Sequence, residues 1–526
     1  MQRRSLLKAA AGGLTILKSG TLRGQNAPSN KLNVALVGVW GRGTAHYNSL
    51  IQENVVALCD VNEKRYTEAQ AIWPKAKTYW DWRRMMDQKD IEAVVICTAD
   101  HHHAFIANWA INRGMHVFCE KPLGISVEET RVVRANYLKN RGKIATQHGT
   151  QRHAYPNFAR LREMILDGAI GDLKTVHAWD ARELPRPGYP AEQGAVPQVL
   201  HFDQWLGPSP IHPYSPQYFG GSNGLNCLFW NMYRDFGVGQ IGDMGAHTMD
   251  LAWTAIDAGA PTAVEVDQDL TDKFNPDICP VKLKATFDHP ANTWRGPIQV
   301  VWYQGGLKPN APKSYIDLSK VGNGAIFEGT KGSIFADFTT RVLIPNNDDG
   351  DLTYYSRRKR DELLPLVNGT GTRTQTMAPR PAQRPSAPLP KGFTAMPSAN
   401  AGANGFADVQ FTEDGLPAAL GLPNPNIDTI LAAMKEGRAL NVDPFQLDWL
   451  NACKGRNDKA VHGTSTKTHC DFDYSGTMIE QMLLGLIAHR MGKKIEYDPA
   501  SGRITNSLEA NDYLKRKYRS GWTLNG

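Results

Sequence analysis

Two short stretches carry side chains able to do redox and acid–base chemistry. In Cys119-Glu120-Lys121-Pro122 a lysine closes an apolar run and is followed at once by a proline. An ammonium held at such an edge can hydrogen-bond a sugar hydroxyl and assist loss of its proton as hydride leaves the same carbon. In Gly242-Asp243-Met244-Gly245-Ala246-His247-Thr248-Met249-Asp250 the acid Asp243 and the imidazole His247 stand four apart, on one face if the segment is helical. That spacing can orient an imidazole as general base, or supply two metal ligands. No third ligand is identifiable, so the acid–base reading is preferred and no metal is expected.

A third stretch, NVALVGVWGRG, runs from a strand into glycines. The dinucleotide fingerprint places glycines first, third and sixth, where the backbone must approach a pyrophosphate. Gly38 and Gly43 fill the first and sixth places, while Trp40 takes the third and Gly41 and Arg42 follow it. Asp60 closes the next strand, about 20 residues on, where a carboxylate binds the adenosine ribose. An acid there repels a 2′-phosphate, so NAD is expected and NADP disfavoured. In CTADHHHA three consecutive histidines suggest metal, but neighbours in a chain point in different directions and no cysteine or acid cluster stands nearby. A helix start packed on the cofactor is expected instead, through Thr98, His101 and His103.

The elements that must position these groups alternate. Asn33–Gly38, Asn54–Cys59, Ala93–Thr98, His116–Cys119 and Lys143–Thr146 read as buried strands, with amphipathic stretches Glu63–Ala71 and Ala104–Arg113 between them. Continuous apolar strands alternating with helices give an α/β fold, a doubly wound, Rossmann-like parallel sheet covered on both faces. Ser126 and Glu129 form a capping box. Beyond about residue 150, a helix over Asn157–Asp167 stops at Gly168. Longer strands follow at Lys174–Trp179, Val281–Phe287, Ile298–Tyr303 and Gly332–Phe338, an α+β domain with a large, mostly antiparallel open sheet. A last helix, capped by Thr477 and Glu480, runs to Gly492. The domains expected are 31–150 for NAD and 151–526 for substrate, with a Pro/Gly-rich insertion over about 345–425.

Of the formal net charge of +7, five positive charges lie in the opening segment, on Arg3, Arg4, Lys8, Lys18 and Arg23. The rest of the chain is nearly neutral, which removes the electrostatic footprint of a nucleic-acid binder. Seven cysteines without a CxxC pair make neither a disulfide framework nor a zinc motif. Arg3-Arg4-Ser5-Leu6-Leu7 and the apolar stretch after it read as a twin-arginine export signal over residues 1–27, too short to span a bilayer. No stable membrane anchor is expected, and the location expected is periplasmic or exported.

Taken together, LVGVWGRG, VVICTADHHHA, VFCEKPLGIS, GTQRHAYPNF, GDMGAHTMD and DYSGTMIEQMLLG resemble the Gfo/Idh/MocA family of sugar oxidoreductases. The resemblance implies that Lys121 contacts the substrate, that His247 is the catalytic histidine and that Asp243 supports it. Glu120 and Gln151 join the cofactor set, while Arg152, Tyr155, Trp230 and Tyr233 join Lys121 and His247 around a small-molecule carbohydrate. A homo-oligomer is also implied. Two positions depart from the family pattern, Trp40 for a glycine and Ala99 for a proline.

Free NAD is scarce outside the cytoplasm, so an exported enzyme of this kind must hold its cofactor tightly. Oxidation and return of hydride at a sugar carbon is the first expectation, with a redox-neutral NAD-dependent glycosidase and a non-catalytic sugar-binding protein as alternatives.

Overall fold

Six short strands pair in parallel to build the first sheet, four of them apolar runs and the two at the edges polar: β1 (Asn33–Val37), β2 (Asn54–Cys59), β3 (Lys77–Tyr79), β4 (Ala93–Ile96), β5 (His116–Cys119) and β6 (Thr146–His148). The computed structural model describes residues 31–219, 227–314, 316–347, 350–355, 393–395, 410–412, 427–436, 440, 442–457 and 459–525. The expected signal, and most of the expected insertion, lie outside them. The strand order β3-β2-β1-β4-β5-β6 reverses between β1 and β4, which opens a crevice beyond their carboxyl ends. Every residue of β4 and all but the first of β1 are buried, as a sheet covered on both faces requires.

Local signals place the covering helices. The Ser126 hydroxyl accepts from the Glu129 N–H, and the Glu129 carboxylate accepts from the Ser126 N–H, so the capping box forms at the Val127–Asn140 helix. The Asp100–Asn112 helix begins earlier than its periodicity suggests and is followed by Gly114 at φ +74°. Where a strand was expected over Lys143–Thr146, pairing starts only at Thr146.

The second sheet has nine strands. They are β7 (Leu173–Asp180), β8 (Ala263–Val266), β9 (Leu283–His289), β10 (Ile298–Gln304), β11 (Asn323–Gly329), β12 (Gly332–Ala336), β13 (Arg341–Pro345), and two further strands, Ile495–Asp498 and Arg503–Ile504. All neighbours are antiparallel except β7 and β10. Strict alternation of buried and half-buried residues along β9 marks a sheet with one core face. That face receives the Gly245–Ile256 helix, on which the Pro156–Leu166 helix packs in turn.

The Phe472–Met491 helix joins the two halves, packing on the Val127–Asn140 helix and on β8. Its start corrects the expected cap. Asp471 accepts from the Asp473 and Tyr474 N–H groups, one and a half turns ahead of Thr477. Glu480 is occupied by Arg131 (2.8 Å) and by the Tyr497 hydroxyl, 2.5 Å away. Gly492 does end the helix, at φ +61°.

Candidate active site

A cavity of about 550 Å³ lies at the carboxyl ends of β1, β2, β4 and β5, walled on the far side by His247 of the Gly245–Ile256 helix and by Gln204, Trp205, Phe219 and Trp230. Its cofactor end is shaped by glycine. Gly38 sits at φ +81°, and a Cβ there would meet the Cys97 carbonyl oxygen at 2.5 Å; a Cβ on Gly43 would meet the Gly38 oxygen at 2.0 Å. Trp40 is extended (φ −114°, ψ 176°), so the third fingerprint place needs no glycine conformation here. Its indole lies under the Arg65 guanidinium, 4.5 Å from the ring centre, and packs with Leu200, Phe202 and Trp205. The indole Nε1 is buried with no partner among the described residues. Asp60 accepts from the N–H groups of Val39 (2.9 Å) and Asn62 (3.0 Å). These residues fit a dinucleotide: a backbone cradle that side chains would fill, an acid at the ribose position, and unpartnered polar atoms on the wall, Gln151 Oε1 and Glu120 Oε2 among them.

Glu120 organises the next stretch. It accepts from Arg42 Nε (2.8 Å) and lies 3.0 Å from His46 Nε2. Burial works to raise its carboxyl, but Arg42 and His46 override this and hold it well below the usual carboxylate range. His103 ties two elements together, with its ring nitrogens 2.6 Å from the Pro122 carbonyl and 2.9 Å from that of Thr98.

Lys121, one residue on, forms an ion pair with Asp243. The other Asp243 oxygen accepts from Arg182 Nη2 at 2.7 Å, and Arg182 Nε donates to Asp180 at 3.1 Å. Desolvation would raise the Asp243 carboxyl, but Lys121 and Arg182 hold it well below its ordinary value. Asp100 also lines the cavity and goes the other way: burial, aided by Asp243, pushes it well up despite Lys121. Asp243 and Asp100, close to the same ammonium, are thus pushed in opposite directions by their surroundings. His247, in the first turn of its helix, points its buried Nδ1 at no partner among the described residues. Burial, with Arg152 and Lys121 nearby, drives its pKa well down, so the ring is neutral and ready to accept a proton.

Asp243 thus holds Lys121 and Arg182, and no hydrogen bond joins it to the His247 ring. Gly38, Trp40, Gly41, Arg42, Asp60, Thr98, His103, Glu120, Lys121, Gln151, Arg152, Trp230, Asp243 and His247 all line one cavity. Four expected residues do not. His101 turns away by one helical step and bonds the carbonyls of Trp205 (2.8 Å) and Phe236 (3.3 Å). Tyr155 caps the Pro156–Leu166 helix, and Tyr233 is core, its ring stacked on Tyr189 with centres 5.2 Å apart. Gly43 packs beneath the loop. Sequence reasoning misses Arg182, Asp100 and His46. Arg182 ends the run after β7, and His46 follows Arg42 by four residues, which is the one local signal available.

A glycine-cradled crevice at a strand-order reversal faces a Lys–Asp pair and a buried histidine over a second sheet, the place where doubly wound folds take up a nucleotide. Residues 32–148 match the family model of the Gfo/Idh/MocA oxidoreductases' NAD-binding Rossmann fold, and residues 187–356 match that of the family's C-terminal alpha/beta domain. The two matches together span more than half the chain, and the chain belongs to this family. It is 32% identical over 178 residues to the inositol 2-dehydrogenase of Salmonella typhimurium, covering 32% of this chain and 52% of that protein. It is 26% identical over 191 residues to the inositol 2-dehydrogenase/D-chiro-inositol 3-dehydrogenase of Lactiplantibacillus plantarum, covering 34% and 53%. The chain spans about half the length of the curated relatives it matches. Among solved structures, the WlbA dehydrogenase from Bordetella pertussis in complex with NADH and UDP-GlcNAcA aligns with a TM-score of 0.50 at 13% identity, over 89% of this chain and 98% of that one, a likeness of fold.

Proposed function

We propose that this chain is an NAD-dependent oxidoreductase acting on a ring CH–OH group of a sugar or cyclic polyol, with the dinucleotide retained between turnovers. The observation that carries the reading is the Lys121–Asp243 pair beside neutral His247, in the same cavity as the Gly38–Asp60 crevice. The inositol dehydrogenases among its relatives support the substrate class. Asp60 at the ribose end supports NAD over NADP.

When bound, NAD supplies the acceptor for the hydride that leaves the substrate carbon. Gly38, Trp40, Arg42 and Asp60 would hold its adenosine and phosphates, and Thr98, Glu120 and Gln151 its nicotinamide end. His247 takes the hydroxyl proton on its unprotonated ring. Lys121 donates a hydrogen bond to the same oxygen and stabilises its growing negative charge. Asp243 and Arg182 fix where that ammonium sits, while Arg152 and Trp230 face the sugar. In the reverse direction His247 returns the proton.

Retention finds support in a strap over the ribose end. The Glu63 N–H donates to Val199 O (3.0 Å) and the His201 N–H to Val61 O (2.8 Å), and His201 stacks on Trp80 with centres 4.4 Å apart. Export by the twin-arginine route and assembly into a homo-oligomer belong to the same proposal. Among the described residues no helix is long and apolar enough to cross a membrane.

The test is to denature the purified protein and identify what it releases. Released NAD supports the reading; no nucleotide and no binding of added NAD would favour a non-catalytic sugar-binding protein. Incubation with glycosides in deuterated water then separates the chemistries. Deuterium at C2 of a freed sugar marks the redox-neutral glycosidase, and oxidation without bond cleavage marks the dehydrogenase.

A further inference from the structure

A second cluster of ligand-type side chains lies away from the cavity. Asp448 projects from the Pro444–Cys453 helix, His462 ends the Lys459–His462 helix, and His469 stands in the turn before the Phe472–Met491 helix. One ligand atom from each falls within 4.8 Å of the other two. Asp448 Oδ2 is 3.0 Å from His469 Nδ1, and Asp448 Oδ1 is 3.5 Å from His462 Nε2. The imidazoles meet edge to face with centres 4.8 Å apart. The three side chains are only 9–12% exposed.

Three features distinguish this group from an ordinary buried ion pair. No lysine or arginine pairs with Asp448 among the described residues, so its charge is countered only by imidazoles. His469 Nε2 is buried with no hydrogen-bond partner among the described residues, an expensive arrangement for a ring nitrogen. The carboxylate is also held from outside. Asn457 Nδ2 donates to Asp448 Oδ1 (3.0 Å) and to the Lys467 carbonyl (2.9 Å), and the His469 N–H donates to Asp448 Oδ2 (3.0 Å). Metal ligands are oriented by outer hydrogen bonds of this kind. Zinc bound at about 2.0–2.1 Å in a tetrahedron sets its ligand atoms roughly 3.3 Å apart, near the spacing of the two Asp448–histidine pairs.

We infer that Asp448, His462 and His469 form a binding site for a divalent transition metal, with zinc the best match and a fourth position left to water. The ion's role is to fasten. Its ligands tie the chain between Asp448 and His469 onto the Pro444–Cys453 helix, which packs on the Gln151–Ala154 turn. Gln151 and Arg152 of that turn line the active-site cavity, whereas none of the three ligands does. The same connection is stitched to β6, where the Thr468 hydroxyl donates to Thr146 O (2.6 Å) and the His148 N–H to Cys470 O (2.9 Å).

The test uses the full chain, stripped with chelator and dialysed, then titrated with Zn2+ by calorimetry and with Co2+ by absorption. Saturable binding is expected, with tetrahedral cobalt bands and a melting temperature that rises with zinc. His469→Ala and, separately, His462→Ala should each weaken zinc binding by more than about tenfold and abolish the thermal shift. The His462 variant carries the comparison should the other fail to fold. Wild-type protein that takes up no zinc, or variants that bind it as tightly as wild type, would overturn the site; tighter uptake of Fe2+ than Zn2+ would keep the site and overturn its assignment to zinc.

Discussion

Lys121 and Asp243 stand 122 positions apart and form an ion pair between the end of the first sheet and the short Gly239–Asp243 helix, which precedes the helix that covers the second sheet. Arg182 grips the opposite oxygen of the same carboxylate. A lysine on a flexible four-carbon stem is thereby placed by the fold beside His247, before any substrate arrives.

Breaking that relationship should cost turnover more than binding. Asp243→Asn keeps the shape and removes the charge, and kcat is expected to fall about 100-fold; Lys121→Met should fall by about 1,000-fold. Steady-state kinetics with circular dichroism as a fold control check both.

The acid limb of the pH–rate profile should lie below the ordinary histidine value. Burial, then Arg152 and Lys121, push the His247 pKa well down, and the base must be unprotonated to act. Protonation therefore begins to remove activity only below 6.5, and kcat/KM should be flat from neutrality through mildly acid pH. A limb centred at or above 6.5 would assign the base to another group.

Stability should fall on acidification for a separate reason. Burial lowers His102 and His148 to about 3 and His289 to about 4. Between those values and 6.5 the unfolded chain binds protons that the folded chain refuses, so stability rises with pH across that window. Each histidine contributes about 1.4 kcal/mol per pH unit there. Urea midpoints measured from neutral down to mildly acid pH should drop steadily.

Trp40 should matter to cofactor retention. Its ring supports Arg65 and packs into the aromatic cluster under the strap. Trp40→Ala should speed NAD dissociation by at least about tenfold, equivalent to about 1.4 kcal/mol. Stopped-flow displacement reads the rate, and loss of copurifying nucleotide gives a second reading.

Much of the fold is legible in the amino-acid order itself. The four inner strands of the first sheet show as apolar runs because both their faces are covered, whereas the polar edge strands Lys77–Tyr79 and Thr146–His148 leave no such signal, and the Ser126 box can be read because both partners lie within four residues. The Thr477–Glu480 pattern misleads for the opposite reason: Glu480 serves Arg131 and Tyr497, and Arg131 is distant in sequence. Arg182 and Asp100 escape notice because their partners come from other elements and leave no local period. Tyr155 and Tyr233 are drawn to the site by nearness in sequence, yet the Tyr155 ring packs against the main core and the Tyr233 ring stacks on Tyr189.

Hydride transfer from a ring carbon, assisted by Lys121, is the central claim, and single-turnover reduction tests it most directly. NAD-loaded protein mixed with a panel of inositols, aldoses and glycosides should show reduced-nicotinamide absorbance for at least one of them, with the signal lost in Lys121→Met. No reduction with any compound, or equal reduction in the variant, would contradict it.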